Sequence, residues 1–297
     1  MEITFLGTGS MVPTVERNAT GIFVRYKNEG ILVDCGEGTQ KQFRHASISP
    51  AKVTKILITH WHGDHVFGLP GLLTTLAKFA PEKKLELYGP AGSKRYLSIL
   101  LSSYVPLNEN SLKVTEVKDD GIIFENDDFM IKAFNLEHTA KCLGYSIIEK
   151  DKRNINMEYL KRFGLKQHPI LKNLQEGKDI TWNSKKILAK NATTIKKGKT
   201  LSIVLDSRQC KNILKNVKNS DLLVCEATLG EEFREKASAY MHLTATQAAR
   251  IAKDASVKKL ALTHFSQRYR ETSSLLKEAR TIFKNTIAAE DLMNILV

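Results

Sequence analysis

The chain has 297 residues, 42% of them hydrophobic and 26% charged, enough for one large core or two modest domains. No apolar run reaches the length of a membrane span, which argues against a helical membrane protein. The opening Met1-Glu2-Ile3-Thr4-Phe5 reads as a strand, not a secretory leader. The formal net charge of +13 is unevenly spread: residues 151–199 hold 13 Lys/Arg against 4 Asp/Glu, a net +9, and the rest of the chain shares +4. Charge on this scale bears on polyanionic partners rather than on fold.

Taken in order, the patterning predicts strands at Ile3–Leu6, Gly21–Tyr26, Ile31–Val33, Lys55–Thr59, Leu85–Tyr88, Phe129–Asn135 and Leu143–Ile148, then at Leu201–Leu205, Leu222–Cys225 and Lys259–Thr263. Helices are predicted over 38–45, 66–78, 93–104, 244–255 and 273–284, the fourth opened by a capping box with Thr244 at the N-cap and Gln247 at N3. Strands and helices mixed in this way imply a layered α/β protein. Within the basic stretch, Asn156 before Met157–Phe163 and Gly164 marks one short helix. Pro169–Glu176 before Gly177 marks a second. Each has too few apolar residues for a core, so a projecting helical arm over 151–199, inserted in a single domain of 1–297, is expected. Cys35, Cys142, Cys210 and Cys225 lie far apart and form no C-x-x-C pair, which predicts reduced thiols in a cytoplasmic protein.

The densest chemistry follows the fourth strand. His60-Trp61-His62-Gly63-Asp64-His65 places three imidazoles and a carboxylate within six residues. Imidazole nitrogen and carboxylate oxygen suit zinc, and Gly63 permits a tight turn that lets ligands converge. Three later strands end in His138, Asp206 and His264. Singly each is an ordinary strand cap; together with the cluster they predict a two-metal site. His60, His62 and His138 would hold one zinc, and Asp64, His65 and His264 a second, with Asp206 bridging. Manganese or iron would suit the same ligands. Two metals a few ångströms apart form a clamp for in-line displacement at phosphorus.

These residues resemble the metallo-β-lactamase superfamily, which implies an αββα four-layer sandwich with the metal site at one edge. Further motifs resemble ribonuclease Z, the tRNA 3′-processing endonuclease, in its short form. They are Phe5-Leu6-Gly7-Thr8-Gly9-Ser10, Pro13-Thr14-Val15-Glu16-Arg17-Asn18, Asp34-Cys35-Gly36-Glu37-Gly38-Thr39-Gln40, Cys225-Glu226-Ala227-Thr228, His242-Leu243-Thr244 and Thr263-His264-Phe265-Ser266-Gln267-Arg268-Tyr269.

The resemblance implies a precursor-tRNA substrate and a homodimer. It makes the basic arm the tRNA-binding exosite, with Lys161, Arg162, Lys166 and Lys172 as contacts. It adds Arg17, Asn18, Arg268 and Tyr269 as RNA-binding candidates near the site. Asp64 would bind metal and accept the nucleophile's proton; His242, oriented by Glu226, would protonate the leaving oxygen. Asp34 would orient a ligand imidazole. Two positions depart from the family pattern. Val15 replaces the usual Lys in a loop implicated in rejecting tRNA that already ends in CCA, and His168-Pro169 replaces Gly-Pro in the arm. The alternatives are another hydrolase of the fold, either a small-molecule phosphodiesterase or an arylsulfatase, and a non-catalytic RNA-binding module. Neither small-molecule hydrolase needs a +9 arm, and a binding module would be expected to have lost ligands.

Overall fold

The structure, a computed structural model, describes residues 1–102 and 112–297. Two seven-stranded sheets face each other. The first runs Asn294–Leu296, Glu2–Gly7, Gly21–Tyr26, Glu29–Val33, Lys55–Leu57, Leu85–Pro90, Leu112–Val117. The second runs Thr286–Ala288, Leu260–Thr263, Leu222–Glu226, Thr200–Val204, Lys141–Glu149, Phe129–Glu137, Gly121–Glu125. Each sheet is antiparallel in one half and parallel in the other.

Strand alternation builds three apolar layers. Ile22 and Val24 point between the sheets toward Tyr145, Ile147 and Ile203, whereas Phe23 and Leu32 point outward. The outer face of the first sheet is covered by helices Thr39–His45, Leu69–Phe79 and Ser93–Leu101 through Phe43, Leu72 and Leu97. That of the second is covered by Lys211–Val217, Ala245–Asp254 and Ser273–Ile282 through Ile213, Ile251 and Leu275. Sheets buried on both faces explain why most strands read as continuous hydrophobic runs. The αββα sandwich expected from the motifs is the observed architecture. No helix among the described residues is long and apolar enough to cross a membrane.

The expected capping box is present, with Thr244 accepting from Gln247 N and Gln247 accepting from Thr244 N. The helix expected over 66–78 is two: Gly63–Val66, then Leu69–Phe79 with Pro70 in its first turn. Residues 103 and 104, the end of the helix expected over 93–104, lie outside the described residues. Short helices and edge strands went unpredicted, among them Lys211–Val217, Arg234–Ala239, Gly121–Glu125 and Thr286–Ala288. They carry too little periodicity to stand out from loops.

The arm corrects an expectation. Its helices Met157–Lys161 and Leu171–Gln175 have the anticipated ends: Asn156 caps the first, and Gly164 and Gly177 take φ of 67° and 80°. But the arm is not merely helical. Lys152–Ile155 pairs with Thr193–Lys196, and Ile180–Trp182 with Lys185–Ile187 around Asn183-Ser184, both at positive φ. These pieces pool their apolar residues: Leu160, Leu165, Leu174, Ile180, Ile187, Ala189 and Ala192 are buried together. Neither helix supplies a core alone, and counting each separately hid the one they share. His168 acquires local work, its Nδ1 accepting from Ile170 N at 3.2 Å and its ring meeting Trp182 edge-on at 5.0 Å.

Candidate metal centre

The site lies where strands stop. His60 follows Lys55–Leu57, Asp34 follows Glu29–Val33, Asp206 follows Thr200–Val204, His264 follows Leu260–Thr263, and Glu226 ends Leu222–Glu226. All five strands belong to the parallel halves, whose carboxyl ends are where α/β sheets bind ligands. His138 arrives from the antiparallel strand Phe129–Glu137. Asp34, Asp206 and His264 take positive φ of 57°, 25° and 59°. Such conformations are costly for residues with a side chain and concentrate at functional sites.

Seven side chains converge as expected, in two cages. In the first, His62 Nδ1 lies 2.9 Å from His60 Nε2 and 3.3 Å from His138 Nε2, and Asp206 Oδ2 lies 3.6 Å from both Nε2 atoms. In the second, Asp206 Oδ1 lies 3.0 Å from His264 Nε2 and 3.5 Å from His65 Nε2. Asp64 Oδ2 lies 3.6 and 3.4 Å from the same two nitrogens. Asp206 thus offers one oxygen to each cage.

A second partner sets the tautomer of four rings. Thr59 donates its hydroxyl to Asp34 at 2.7 Å, so it accepts from His60 Nδ1 at 3.0 Å. His65 Nδ1 donates to Asp34 at 2.6 Å and His138 Nδ1 to the Met241 carbonyl at 3.2 Å. Thr228 donates to Glu226 at 2.6 Å and accepts from His264 Nδ1 at 3.0 Å. Each ring therefore turns its Nε2 inward, the pattern that orients metal-binding histidines.

The donor set fits divalent cations. Ring nitrogens and carboxylate oxygens held this close need a proton or a cation between them. Two ligands on a tetrahedral ion with bonds of about 2.0–2.1 Å stand about 3.3 Å apart, matching most of these separations. His65 Nε2, His264 Nε2 and Asp206 Oδ1 are buried without a hydrogen-bond partner, a costly arrangement that coordination would relieve. Burial, then the charge of His65, holds His60 well below its ordinary pKa, keeping its lone pair free. Burial alone would lower His65 and His264, but the carboxylates around them, Asp206 foremost, raise both, His264 to about 10. A cation binding here would have to displace those protons.

Beside the cages, His242 Nδ1 lies 3.1 and 3.2 Å from the two Glu226 oxygens. Glu226 is fully buried; burial alone would raise its pKa, but His242 pulls it below the ordinary value. Burial likewise works against a charged His242, and Glu226 more than reverses this, leaving its pKa raised. Glu226 also accepts Ser207 N–H at 2.7 Å, tying it to the backbone beside Asp206. Asp64 Oδ2 accepts Met11 N–H at 2.8 Å. A cleft of about 620 Å³ opens over His62, Asp64, His138, Asp206 and His242.

The outer candidates divide. Arg268 is exposed and lines the cleft, its guanidinium over the Phe233 ring at 5.5 Å. Arg17 is instead buried, its guanidinium spent on the carbonyls of Ser266, Tyr269 and Arg270. Asn18 donates its amide to the Glu37 and Ala19 carbonyls. Tyr269 hydroxyl is engaged by Glu232 and Gly230 N–H, each at 2.8 Å. These three staple the rim and do not present the groups expected to meet RNA. Lys161, Arg162, Lys166 and Lys172 are far from the metal centre in sequence, exposed, and without an ion pair among the described residues. Thr59 and Thr228 as orienting groups, and Phe67, Tyr240 and Lys236 as cleft walls, were not foreseen. Only Thr228, within the Cys225–Thr228 motif, carried any signal.

Comparison with known proteins follows the same lines. Residues 1–156 match a protein-family model described as Anti-Pycsar protein Apyc1, a span that stops before Asp206, Glu226, His242 and His264. Over 300 aligned residues the chain is 39% identical to ribonuclease Z of Bacillus cereus, covering 98% of each chain, and equally similar to that of Bacillus anthracis. Among solved structures, human tRNase Z, short form, superposes with a TM-score of 0.73 at 28% identity, covering 100% of this chain and 99% of that one. The metallo-β-lactamase fold protein YhfI from Bacillus subtilis reaches 0.72 at 18% identity, covering 99% and 98%, a likeness of fold.

Proposed function

The chain belongs to the ribonuclease Z family, and on that premise we propose that it cleaves precursor tRNA 3′ of the discriminator nucleotide, leaving a tRNA 3′-hydroxyl and a trailer 5′-phosphate. Supporting this is the convergence of two ligand cages on Asp206 beside a fully buried Glu226 paired with His242 at the cleft, in a chain 39% identical to ribonuclease Z over 98% of its length.

Two zinc ions are the proposed occupants: His60, His62 and His138 for one, Asp64, His65 and His264 for the other, and Asp206 for both. When bound, they would supply positive charge at the phosphoryl oxygens and acidify a water. The chain's own groups handle the protons. Asp64, its carboxylate held by Met11 N–H, accepts the proton of the attacking water. As that oxygen bonds to phosphorus, the bond from phosphorus to the discriminator 3′-oxygen breaks. His242 donates a proton to the departing oxygen, and Glu226 fixes its ring and favours its charged form.

The arm over 151–199 supplies affinity. Its charge and its exposed Lys161, Arg162, Lys166 and Lys172 suit the tRNA phosphate backbone. A single catalytic domain carrying that arm, a homodimer in solution and a cytoplasmic setting complete the proposal; light scattering of the purified protein tests the assembly. The central experiment incubates the purified, metal-replete protein with a 3′-extended precursor tRNA and maps both new ends. Cleavage after the discriminator with the stated termini is expected. An uncut precursor, or a trailer lacking a 5′-phosphate, would refute the reading.

A further inference from the structure

Two aromatic rings beside the metal centre have no place in that mechanism. Phe67 is 62% exposed and Tyr240 is 58% exposed, and both line the cleft with His62, Asp64, His138 and His242. Singly exposed apolar residues are ordinary. Two on one catalytic cleft, each fixed next to a different reacting group, are not.

Phe67 ends the turn that carries Asp64 and His65, its N–H bonding the Gly63 carbonyl at 2.9 Å. Its ring lies across Gly63: a Cβ there would stand 2.2 Å from Phe67 Cε2. The glycine of the histidine motif therefore does more than allow a turn, since any side chain at 63 would push the ring from its place. Tyr240 comes from the second sheet's side. It closes helix Arg234–Ala239, its N–H bonding the Lys236 carbonyl at 3.1 Å, and stands two residues before His242. The Lys236 ammonium lies 5.8 Å from its ring centroid and has no ion pair among the described residues.

We propose that Tyr240 stacks on the discriminator base and Phe67 on the base of the first trailer nucleotide, so that the cleft grips both nucleotides around the scissile phosphate. This rests on the precursor-tRNA reading above. The assignment follows from proton traffic. His242 serves the departing 3′-oxygen, which belongs to the discriminator, and Tyr240 shares its segment; Phe67 shares the Asp64 turn and takes the other nucleotide. Lys236 adds a positive charge to the Tyr240 side of the cleft, suited to a backbone phosphate. Stacking on a ring face is available to every base, so this grip would serve precursors whatever their discriminator.

The test uses full-length protein and precursors with either base removed. Tyr240→Leu keeps apolar bulk without a ring and should lower kcat/KM on the intact precursor about tenfold, within the range known for one base–aromatic stack. Tyr240→Phe should restore it. On a precursor lacking the discriminator base, Tyr240→Leu should cost little more. Phe67→Leu and Phe67→Tyr should behave likewise toward the first trailer base. Metal content and melting temperature, measured on each variant, separate lost stacking from lost fold. Independently, 2-aminopurine at the discriminator should be quenched when the precursor binds wild type or Tyr240→Phe. Equal losses on intact and base-deleted precursors, wild-type rates in both leucine variants, or unquenched 2-aminopurine on wild type would overturn the stacking alone. A wild type that does not cut after the discriminator would overturn the function and the stacking together.

Discussion

The metal centre and the basic arm both concentrate charge, yet the centre encloses His60, His65, Asp206 and His264 and ties each imidazole to a second partner, whereas the arm leaves Lys161, Arg162, Lys166 and Lys172 exposed on seven buried apolar residues. The difference follows from what each charge must do. A ligand displaced by half an ångström no longer coordinates, so it is anchored at the end of a buried strand and oriented through Asp34, Thr59 or Thr228. A lysine that neutralises a phosphate needs only proximity, and a solvated flexible stem serves it. Precise geometry is concentrated in one region, and the other is proposed to supply affinity.

If that division holds, the largest effect lies at the centre. Asp64→Ala removes a proposed metal ligand that is also the proposed proton acceptor. Cleavage of precursor tRNA should fall at least about a thousandfold, within the range of a lost acid–base group. Filter binding should find tRNA affinity nearly intact. Replacing residues 152–196 with a short Gly/Ser linker should do the reverse: strongly weakened precursor binding, with hydrolysis of a small activated phosphodiester surviving. The log–log salt slope should also flatten by about 0.7–0.9 for each phosphate that the arm no longer neutralises. Equal loss of both activities would mean that the arm props up the centre, and the comparison would break.

Asp34→Ala probes the orienting shell. It touches no cation position but removes the acceptor of His65 Nδ1 and of Thr59. Metal affinity, read by chelator competition, should drop about 10–100-fold. Leu160→Ala empties part of the arm core at a local cost of about 2–5 kcal/mol. Proteolysis should then begin within the arm, while metal content and the main melting transition stay put; a matching fall of both would show the two regions folding as one. The smallest effect is expected at Val15, fully exposed in its loop. Val15→Lys should leave stability unchanged and reduce trimming of precursors that carry CCA before the trailer. No change in the ratio of CCA-bearing to CCA-less cleavage would remove Val15 from substrate discrimination.

Much of the centre was legible because chemistry and strand ends coincide in the linear chain. An apolar run that stops at His60, Asp206 or His264 says both that the residue sits at a sheet edge and that it can coordinate. Glu226 and His242 were legible only through resemblance, since nothing local distinguishes them from a strand end and a loop histidine. Arg17 misled for a matching reason: an arginine beside a glycine loop looks free, and only the packed structure reveals carbonyls around its guanidinium.

The sequence by itself determined the layered class, the seven His and Asp candidates, the buried strands and the uneven charge, because these depend on residue type and on periods of two and 3.6 along the chain. Tertiary structure decided what depends on distant segments meeting. It joined His138 to His62 across 76 residues, gave Asp206 one oxygen for each cage, and brought Glu226 against His242. It also pooled scattered leucines into the arm's core. None of these contacts lies within a local repeat, and each is formed only when the sheets close on one another and their helices pack around them.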